Sequence, residues 1–292
     1  MWGTLKLVIE TIAGDRLAAP VGAPWRPFLG AVSALAVAGT LGLGMTAYVA
    51  LRTSPGLDDR VLDAVSSAAP SEYMVHDELR SVSHWLIALL LLALASLTLL
   101  ALVRSRFDLV LAAVIVVAGA NLTTHLLQNN LFTRPDLSPG VNGLPSQHMT
   151  VALSIGLAAL IVAPRAWRSV VAIGLSAAAT LVGVALVLGR WHRPSDVLAG
   201  AFVCFVWAAV GLLVAGLVRR RSPTLNSAHS TVTFVGALVG AWTVSAFLVF
   251  RGARPQPGLP DLGLAVISIG SIGLACAVIG AAVARVADRH LG

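Results

Sequence analysis

Three polar clusters interrupt the apolar pattern of this sequence and contain the side chains best suited to chemistry. Together they hold two histidines, an aspartate and three arginines, all beside apolar runs of membrane-spanning length. Ionisable groups in such positions indicate a functional site. The clusters are Asn129–Pro135, which includes Arg134, then Pro145-Ser146-Gln147-His148, and then Arg190–Asp196.

The third cluster pairs a histidine with a carboxylate. His192 and Asp196 are four residues apart, so a helix that begins here places both on one face. Pro194 lies between them and is compatible with a helix only in its first turn. A carboxylate that holds one imidazole nitrogen fixes the tautomer and makes the other nitrogen more nucleophilic.

The second cluster has the features of a helix start. Ser146 is a suitable N-cap residue for a helix that carries His148 in its first turn. Both helix starts then offer backbone N–H groups and a positive dipole end to an anion. The arginines supply charged, bidentate donors for phosphate oxygens. Two histidines allow one to attack phosphorus while the other protonates the departing oxygen.

The residue types favour phosphoryl transfer without a metal ion or another cofactor. No acidic cluster suited to Mg²⁺ accompanies the histidines, and their spacing is not that of a zinc site.

Helices in a membrane must position these clusters. The chain has 292 residues, of which 57% are hydrophobic and 11% are charged, and its mean hydropathy is +0.87. A soluble domain carries about 25% charged residues. Continuous apolar runs of about 20 residues are typical of helices that cross a bilayer. The net charge of +7 is dispersed between these runs and forms no basic face, which argues against nucleic acid as a partner.

The sequence predicts an all-α, polytopic transmembrane helix bundle with about eight spans. We expect a cytoplasmic N-terminal segment over residues 1–27, a six-span core over residues 28–218, and a basic loop with two additional spans over residues 219–292. The predicted spans are Phe28–Leu51, His84–Val103, Leu109–Leu127, His148–Ala163, Ser169–Gly189, Val197–Val218, Thr231–Phe250 and Gly263–Val283.

The distribution of arginine orients the predicted bundle. With a cytoplasmic N-terminus, the clusters Arg104–Arg106, Arg165–Arg168 and Arg219–Arg221 all lie on the cytoplasmic side, as the positive-inside rule requires. Both termini are then cytoplasmic, and all three polar clusters lie on the extracytoplasmic face. The composition, rich in arginine and alanine, fits a bacterial protein from a GC-rich genome. We therefore expect a multi-pass protein of a bacterial plasma membrane.

The segment Arg52–Ser83 is the longest hydrophilic stretch, and it lies outside in this topology. We interpret it mainly as a solvated connector. The alternative is a short helix, capped by Asp58, that presents Val61, Leu62 and Val65 to the bundle or the membrane surface.

The three clusters resemble the signature of the type 2 phosphatidic acid phosphatase superfamily, membrane lipid phosphate phosphatases with a six-helix core. In that family the three motifs are Lys-x6-Arg-Pro, Pro-Ser-Gly-His and Ser-Arg-x5-His-x3-Asp. The resemblance implies that His192 is the nucleophile and forms a phosphohistidine, that Asp196 orients it, and that His148 is the general acid. It also implies that Arg134 and Ser146 bind the substrate phosphate.

The sequence departs from the family pattern at four positions, one of which is Ala185 in place of the serine of the third motif. Leu127 and Leu186 stand where the family has lysine and arginine, and Gln147 replaces the glycine of the second motif. We take Arg190 and Arg193 as candidates to replace a missing cation, and we count Gln147 among the phosphate-binding residues.

The expected function is a metal-independent phosphatase that hydrolyses a phosphomonoester or diphosphate of a membrane lipid at the extracytoplasmic face. A polyprenyl diphosphate or a lipid like phosphatidic acid would be the substrate, and the bilayer would be the other partner. Two alternatives stay open, a phosphotransferase that moves lipid head groups and a non-catalytic protein that binds lipid phosphates.

Overall fold

The computed structural model describes residues 25–52, 57–67, 85, 88, 91, 92, 94–132, 143–219 and 262–291. Over these ranges the chain is helical and contains no strand. A π-helical turn, Leu127–Leu131, continues the fourth helix. The helices are α1 (Trp25–Arg52), α2 (Leu57–Ser67), α3 (Leu94–Val103), α4 (Phe107–Leu126), α5 (Gln147–Val162), α6 (Arg165–Leu188), α7 (Pro194–Arg219) and α8 (Leu262–His290).

Five of these helices, α1, α4, α6, α7 and α8, are long and apolar enough to cross a membrane. The helices α3 and α5 are apolar but shorter. The predicted all-α polytopic bundle is therefore confirmed. Of the eight predicted spans, Thr231–Phe250 lies outside the described residues, and His84–Val103 is described mainly over its second half.

The helix α5 is short because other helices surround it. Thirteen of its sixteen residues are buried. At 1.5 Å per residue it is about 24 Å long, less than the ~30 Å hydrocarbon core. Backbone groups that are enclosed by protein do not need to reach the membrane surface. The prediction that this span is the shortest of the core agrees with this position.

The helix α7 lies at the centre of the bundle. It packs against α1, α4, α5 and α8. Buried residues occur on more than one face of this helix, as expected for a helix with neighbours on several sides. They include Val197, Ala201, Val203, Cys204 and Phe205. The start of α7 carries part of the third polar cluster, so that cluster lies at one end of the central helix.

Polar groups collect at the two ends of the bundle. The starts of α5 and α7 lie at the histidine end, which we define by His148 and His192. The starts of α4 and α6 lie at the opposite end, the arginine end, which we define by Arg106 and Arg168. The length of α5 separates the two ends by about 24 Å.

The last helix is joined to the arginine end by buried polar contacts. Arg168 is 2% exposed and forms an ion pair of 3.1 Å with Asp288. It also donates hydrogen bonds to the carbonyl oxygens of Ala163 and Ala287. Along its length, α8 packs against α6 and α7.

The hydrophilic segment before α3 contains the helix α2, so its interpretation as a solvated connector is wrong over Leu57–Ser67. Asp58 lies in the first turn of this helix. Val61 is buried and Leu62 is half-buried, as the alternative prediction requires, whereas the side chain of Val65 lies outside the described residues.

Candidate active site

The start of α5 is capped as its sequence predicts. Ser146 is the N-cap residue, and its side-chain oxygen accepts a hydrogen bond of 3.3 Å from the backbone N–H of Met149. The hydroxyl of Thr150 donates to the carbonyl oxygen of Ser146. His148 lies in the first turn and is exposed. The N-cap therefore positions an accessible imidazole in the first turn of a buried helix.

The start of α7 is capped by reciprocal hydrogen bonds. The helix begins at Pro194, so the prediction that this proline lies in a first turn is confirmed. The carboxylate of Asp196 accepts a hydrogen bond of 3.0 Å from the backbone N–H of Arg193. In return, the carbonyl oxygen of Arg193 accepts from the backbone N–H of Asp196. This arrangement resembles a capping box and holds the carboxylate in place.

His192 precedes α7 by two residues and faces the carboxylate of Asp196. Its Nδ1 lies 3.7 Å from Oδ2 of Asp196, and the two side chains are 10% and 3% exposed. This separation is too long for a hydrogen bond. Nδ1 is buried and makes no hydrogen bond with any residue that the structure describes. Because Nδ1 faces the carboxylate, Nε2 lies on the opposite side of the ring.

The two histidines meet although they come from different helix starts. The ring centroids of His148 and His192 are 5.7 Å apart, and the rings are inclined at 63°. Trp191 also lies beside His148, with ring centroids 6.2 Å apart. The site therefore combines two imidazoles and one carboxylate. The spacing predicts the pair of His192 and Asp196, and the predicted topology places His148 on the same face.

Backbone contacts connect the two helix starts. The N–H of Ser146 donates to the carbonyl oxygen of Asp196 over 2.8 Å. Gly200, one turn into α7, allows this approach, because a Cβ there would lie 2.8 Å from the carbonyl oxygen of Ser146. The same Cβ would lie 3.1 Å from the hydroxyl oxygen of Thr150. A larger residue at this position would push α5 and α7 apart.

Gly143 packs directly against the histidine and aspartate pair. A Cβ at this position would lie 2.7 Å from Nδ1 of His192 and 3.1 Å from Oδ2 of Asp196. Sequence reasoning missed this residue. The available signal was a glycine just before the Pro145–His148 cluster.

The arginines of the third cluster contact α2. Arg193 pairs with Asp59 at 2.6 Å, and Arg190, whose φ is 55°, pairs with Asp63 at 2.9 Å. The hydroxyl of Ser195 donates a hydrogen bond to Asp58, and both side chains are buried. The three acidic residues of α2 thus each bind one residue of the third cluster. The predicted phosphate-binding side chains of Arg190 and Arg193 are engaged with carboxylates instead of being open to an anion.

A comparison with known families matches this segment. Residues 127–220, from the π-helical turn to the end of α7, match the family model described as the PAP2 superfamily. This match supports membership of the PAP2 superfamily for a segment that makes up about a third of the chain. No curated protein and no solved structure matches the chain. The predicted resemblance to the type 2 phosphatidic acid phosphatases is confirmed over residues 127–220, and this match suggests phosphatase-type activity on phosphate esters.

The positions at which this chain departs from the PAP2 motifs have structural roles. Leu186 is 2% exposed, and its carbonyl oxygen accepts hydrogen bonds from the N–H groups of Trp191 and His192. Leu127 is half-buried in the π-helical turn. Arg134, the cation that the first PAP2 motif retains, lies outside the described residues.

Gln147 replaces the glycine of the second PAP2 motif and is bound to α4. Its amide nitrogen donates to the side-chain oxygen of Asn121 at 3.0 Å, and Asn121 donates in turn to Ser154. The side-chain oxygen of Gln147 is buried without a hydrogen bond to any described residue. Sequence reasoning missed Asn121, although a polar residue within an apolar span was the available signal. The contact with Asn121 supports the start of α5.

Over the described ranges, no group of three or more His, Cys, Asp or Glu side chains is arranged to hold a metal ion. The groups that meet at the two helix starts are the two imidazoles, the Asp196 carboxylate and the hydroxyl of Ser146, whose side chain is fully buried.

Proposed function

We propose that the chain is a membrane lipid phosphate phosphatase that reacts through a phosphohistidine on His192. The proposal rests on the positions of two side chains beside His192. His148 lies 5.7 Å away, ring centroid to centroid, and Asp196 lies 3.7 Å from Nδ1. The match of residues 127–220 to the PAP2 superfamily supports the coarser statement of a phosphoric ester hydrolase.

In the first step, Nε2 of His192 attacks the phosphorus atom of the substrate. The new N–P bond forms as the P–O bond to the lipid breaks, and protonated His148 transfers its proton to the departing oxygen. Asp196 faces Nδ1 and stabilises the positive charge that develops on the His192 ring. The 3.7 Å separation fits a free enzyme, because catalytic hydrogen bonds often shorten only in the substrate complex.

In the second step, water attacks the phosphohistidine. His148, now neutral, accepts a proton from the water molecule, the N–P bond breaks and inorganic phosphate leaves. His192 returns to its starting form, and His148 is protonated again. The histidines therefore complete the cycle without a metal ion.

Phosphate binding is assigned to the two helix starts and to Arg134. The hydroxyl of Ser146 accepts from Met149 through its oxygen, so its proton is available to a phosphate oxygen. The N-termini of α5 and α7 add their positive dipole ends. Because Arg190 and Arg193 contact α2, we assign them to the support of the site.

The proposed substrate is a lipid whose tail remains in the bilayer, either a polyprenyl diphosphate or a phosphatidic acid-like lipid. His192 lies just before α7, a helix that is long enough to cross a membrane, and His148 lies beside it. A lipid head group is accessible at such a helix end. The arginine residues at the other end favour a cytoplasmic position for that end. The histidine end is then extracytoplasmic.

The test is release of inorganic phosphate by the purified protein in detergent, with a metal chelator present. The substrates are a polyprenyl diphosphate, phosphatidic acid and phosphatidylglycerophosphate. We expect chelator-resistant release by the wild type and a loss of at least about 10³-fold in His192→Ala. His290→Ala, which removes a histidine at the opposite end, is the matched control and should retain activity.

Two results would reject hydrolysis. Lipid binding without phosphate release would indicate a non-catalytic protein. Transfer of the phosphate to an added lipid alcohol, without release to water, would indicate a phosphotransferase.

A further inference from the structure

A cavity of about 450 Å³ lies at the arginine end, remote from the histidines. Twelve of the residues that the structure describes line it, and four of them are arginines from the end of α3 and the starts of α4 and α6. None of these twelve residues is acidic. The four arginines are Arg104, Arg106, Arg165 and Arg168.

The positive charge of this cavity is only partly balanced by the residues that the structure describes. Arg106 pairs with Asp108, and Arg168 pairs with Asp288, each at 3.1 Å. Arg104 is exposed and forms no ion pair with a described residue. The described lining therefore carries four guanidinium groups and no carboxylate, and this basic cavity is suited to an anion.

Two of the guanidinium groups are held rigidly. Arg168 donates through Nε to Ala163 and through Nη1 to Ala287 and Asp288, and these bonds do not use Nη2. Arg106 donates through Nη2 to the carbonyl oxygen of Leu291 at 3.1 Å. Donors fixed in this way lose little further side-chain freedom when they bind phosphate.

The remaining lining is suited to a lipid. Leu100, Leu109, Val162 and Leu291 contribute apolar surface beside the guanidinium groups. The cavity also lies at the ends of helices that are long enough to span a membrane. Basic pockets between membrane helices bind lipid head groups in this way. A free anion would gain nothing from the apolar part of the lining.

We propose that this cavity binds the phosphate group of an anionic membrane lipid and that the bound lipid joins the end of α8 to α3, α4 and α6. The site is about 24 Å from the histidine end, so it is separate from the proposed reaction centre. The phosphate of phosphatidylglycerol is a diester and lacks the terminal phosphate that the proposed phosphatase would remove. This lipid is therefore a suitable probe for the second site.

The experiment measures lipid binding to the full chain in neutral detergent by native mass spectrometry. All proteins carry His192→Ala, so the result does not depend on catalysis. The probes are phosphatidylglycerol, phosphatidylcholine and inorganic phosphate. The test variant adds Arg104→Ala and Arg165→Ala, two exposed positions at which folding should be retained. The control adds Arg285→Ala, an exposed arginine of α8 that does not line the cavity.

We expect the test variant to bind phosphatidylglycerol at least about tenfold more weakly, and the control to remain within about twofold. Phosphatidylcholine should bind more weakly than phosphatidylglycerol, and inorganic phosphate should not displace the lipid. Equal affinity for the two lipids, or equal weakening in the control, would overturn the proposal. Complete displacement by inorganic phosphate would also overturn it, because the cavity would then be a site for a free anion.

Discussion

The backbone N–H of Ser146 donates a hydrogen bond to the carbonyl oxygen of Asp196 over 2.8 Å. This bond joins the start of α5 to the first turn of α7, and each helix start carries one member of the histidine pair. A backbone bond between buried residues is lost only if one of the helices moves. The distance between His148 and His192 therefore depends on how closely α5 and α7 pack.

Gly200→Ala tests the packing of α5 against α7. The added methyl group would lie 2.8 Å from the carbonyl oxygen of Ser146, so the helices must separate. We expect thermal unfolding in detergent to show a loss of about 1–3 kcal/mol, together with a lower kcat. Gly174→Ala is the matched control, because a Cβ there meets no atom within 4 Å. If both variants behave alike, close packing at Gly200 does not matter.

Gly143→Ala tests the position of the His192 ring. The new Cβ would lie 2.7 Å from Nδ1 of His192, so the ring must move relative to Asp196. Displacements of about 1 Å at a reaction centre can cost about 10²-fold in rate, and we expect a decrease of this order in kcat. KM and the melting temperature should change little. An unchanged kcat would contradict the assigned position of the ring.

Asp196→Asn separates the two roles of this side chain. The amide oxygen can still accept a hydrogen bond from the N–H of Arg193, so the start of α7 should remain capped. A neutral amide cannot stabilise a positive imidazole, and we expect kcat to fall by about 10²- to 10⁴-fold. Circular dichroism and thermal unfolding should match the wild type. A fall in kcat that only follows a loss of folded protein would argue against an orienting role.

The pair of Arg193 and Asp59 tests the function of α2. If Arg193 only holds α2 in place, then Arg193→Ala, Asp59→Ala and the double variant should reduce kcat equally. If Arg193 binds phosphate, Arg193→Ala should instead raise KM more than Asp59→Ala does. We expect the first result. The exposed pair of Arg190 and Asp63 is the comparison, and its removal should cost less than about 1 kcal/mol of stability.

Arg168→Met tests how α8 is attached. Loss of this buried guanidinium leaves the Asp288 carboxylate without its partner, which typically costs about 3–5 kcal/mol. Adding Asp288→Asn should restore part of the lost stability, because the uncompensated charge is removed. The measurement is thermal unfolding in detergent, with Arg285→Met as the exposed control. Equal stability of Arg168→Met and Arg285→Met would show that the buried pair does not hold α8.

Features that depend on neighbouring residues were predictable from the sequence. The long apolar helices follow from hydropathy, because lipid and protein interiors both require continuous apolar surface. The cap at Ser146 and the position of Pro194 follow from local hydrogen-bonding rules. The meeting of His148 with His192 was implied by the family resemblance and by a topology that placed both helix starts on one face.

Features that depend on distant residues were not predictable. The sequence offered the helix α2 only as an alternative, because it is polar and eleven residues long, and its contacts with the third cluster could not be predicted. Asp59 and Arg193 are 134 positions apart, so no local pattern indicates their ion pair. The contact of Gly143 with His192 and the arginine-lined cavity likewise appear only when the helices are packed.

The most direct test of the central claim is to trap the intermediate on His192. The wild type and His192→Ala would be mixed with a lipid labelled on its terminal phosphate, quenched in alkali and digested for mass spectrometry. Phosphohistidine survives alkali and is hydrolysed by acid, so the label should be alkali-stable, acid-labile and located on His192. It should be absent from His192→Ala. Phosphate release at an undiminished rate by His192→Ala, or a label on another residue, would contradict the proposed mechanism.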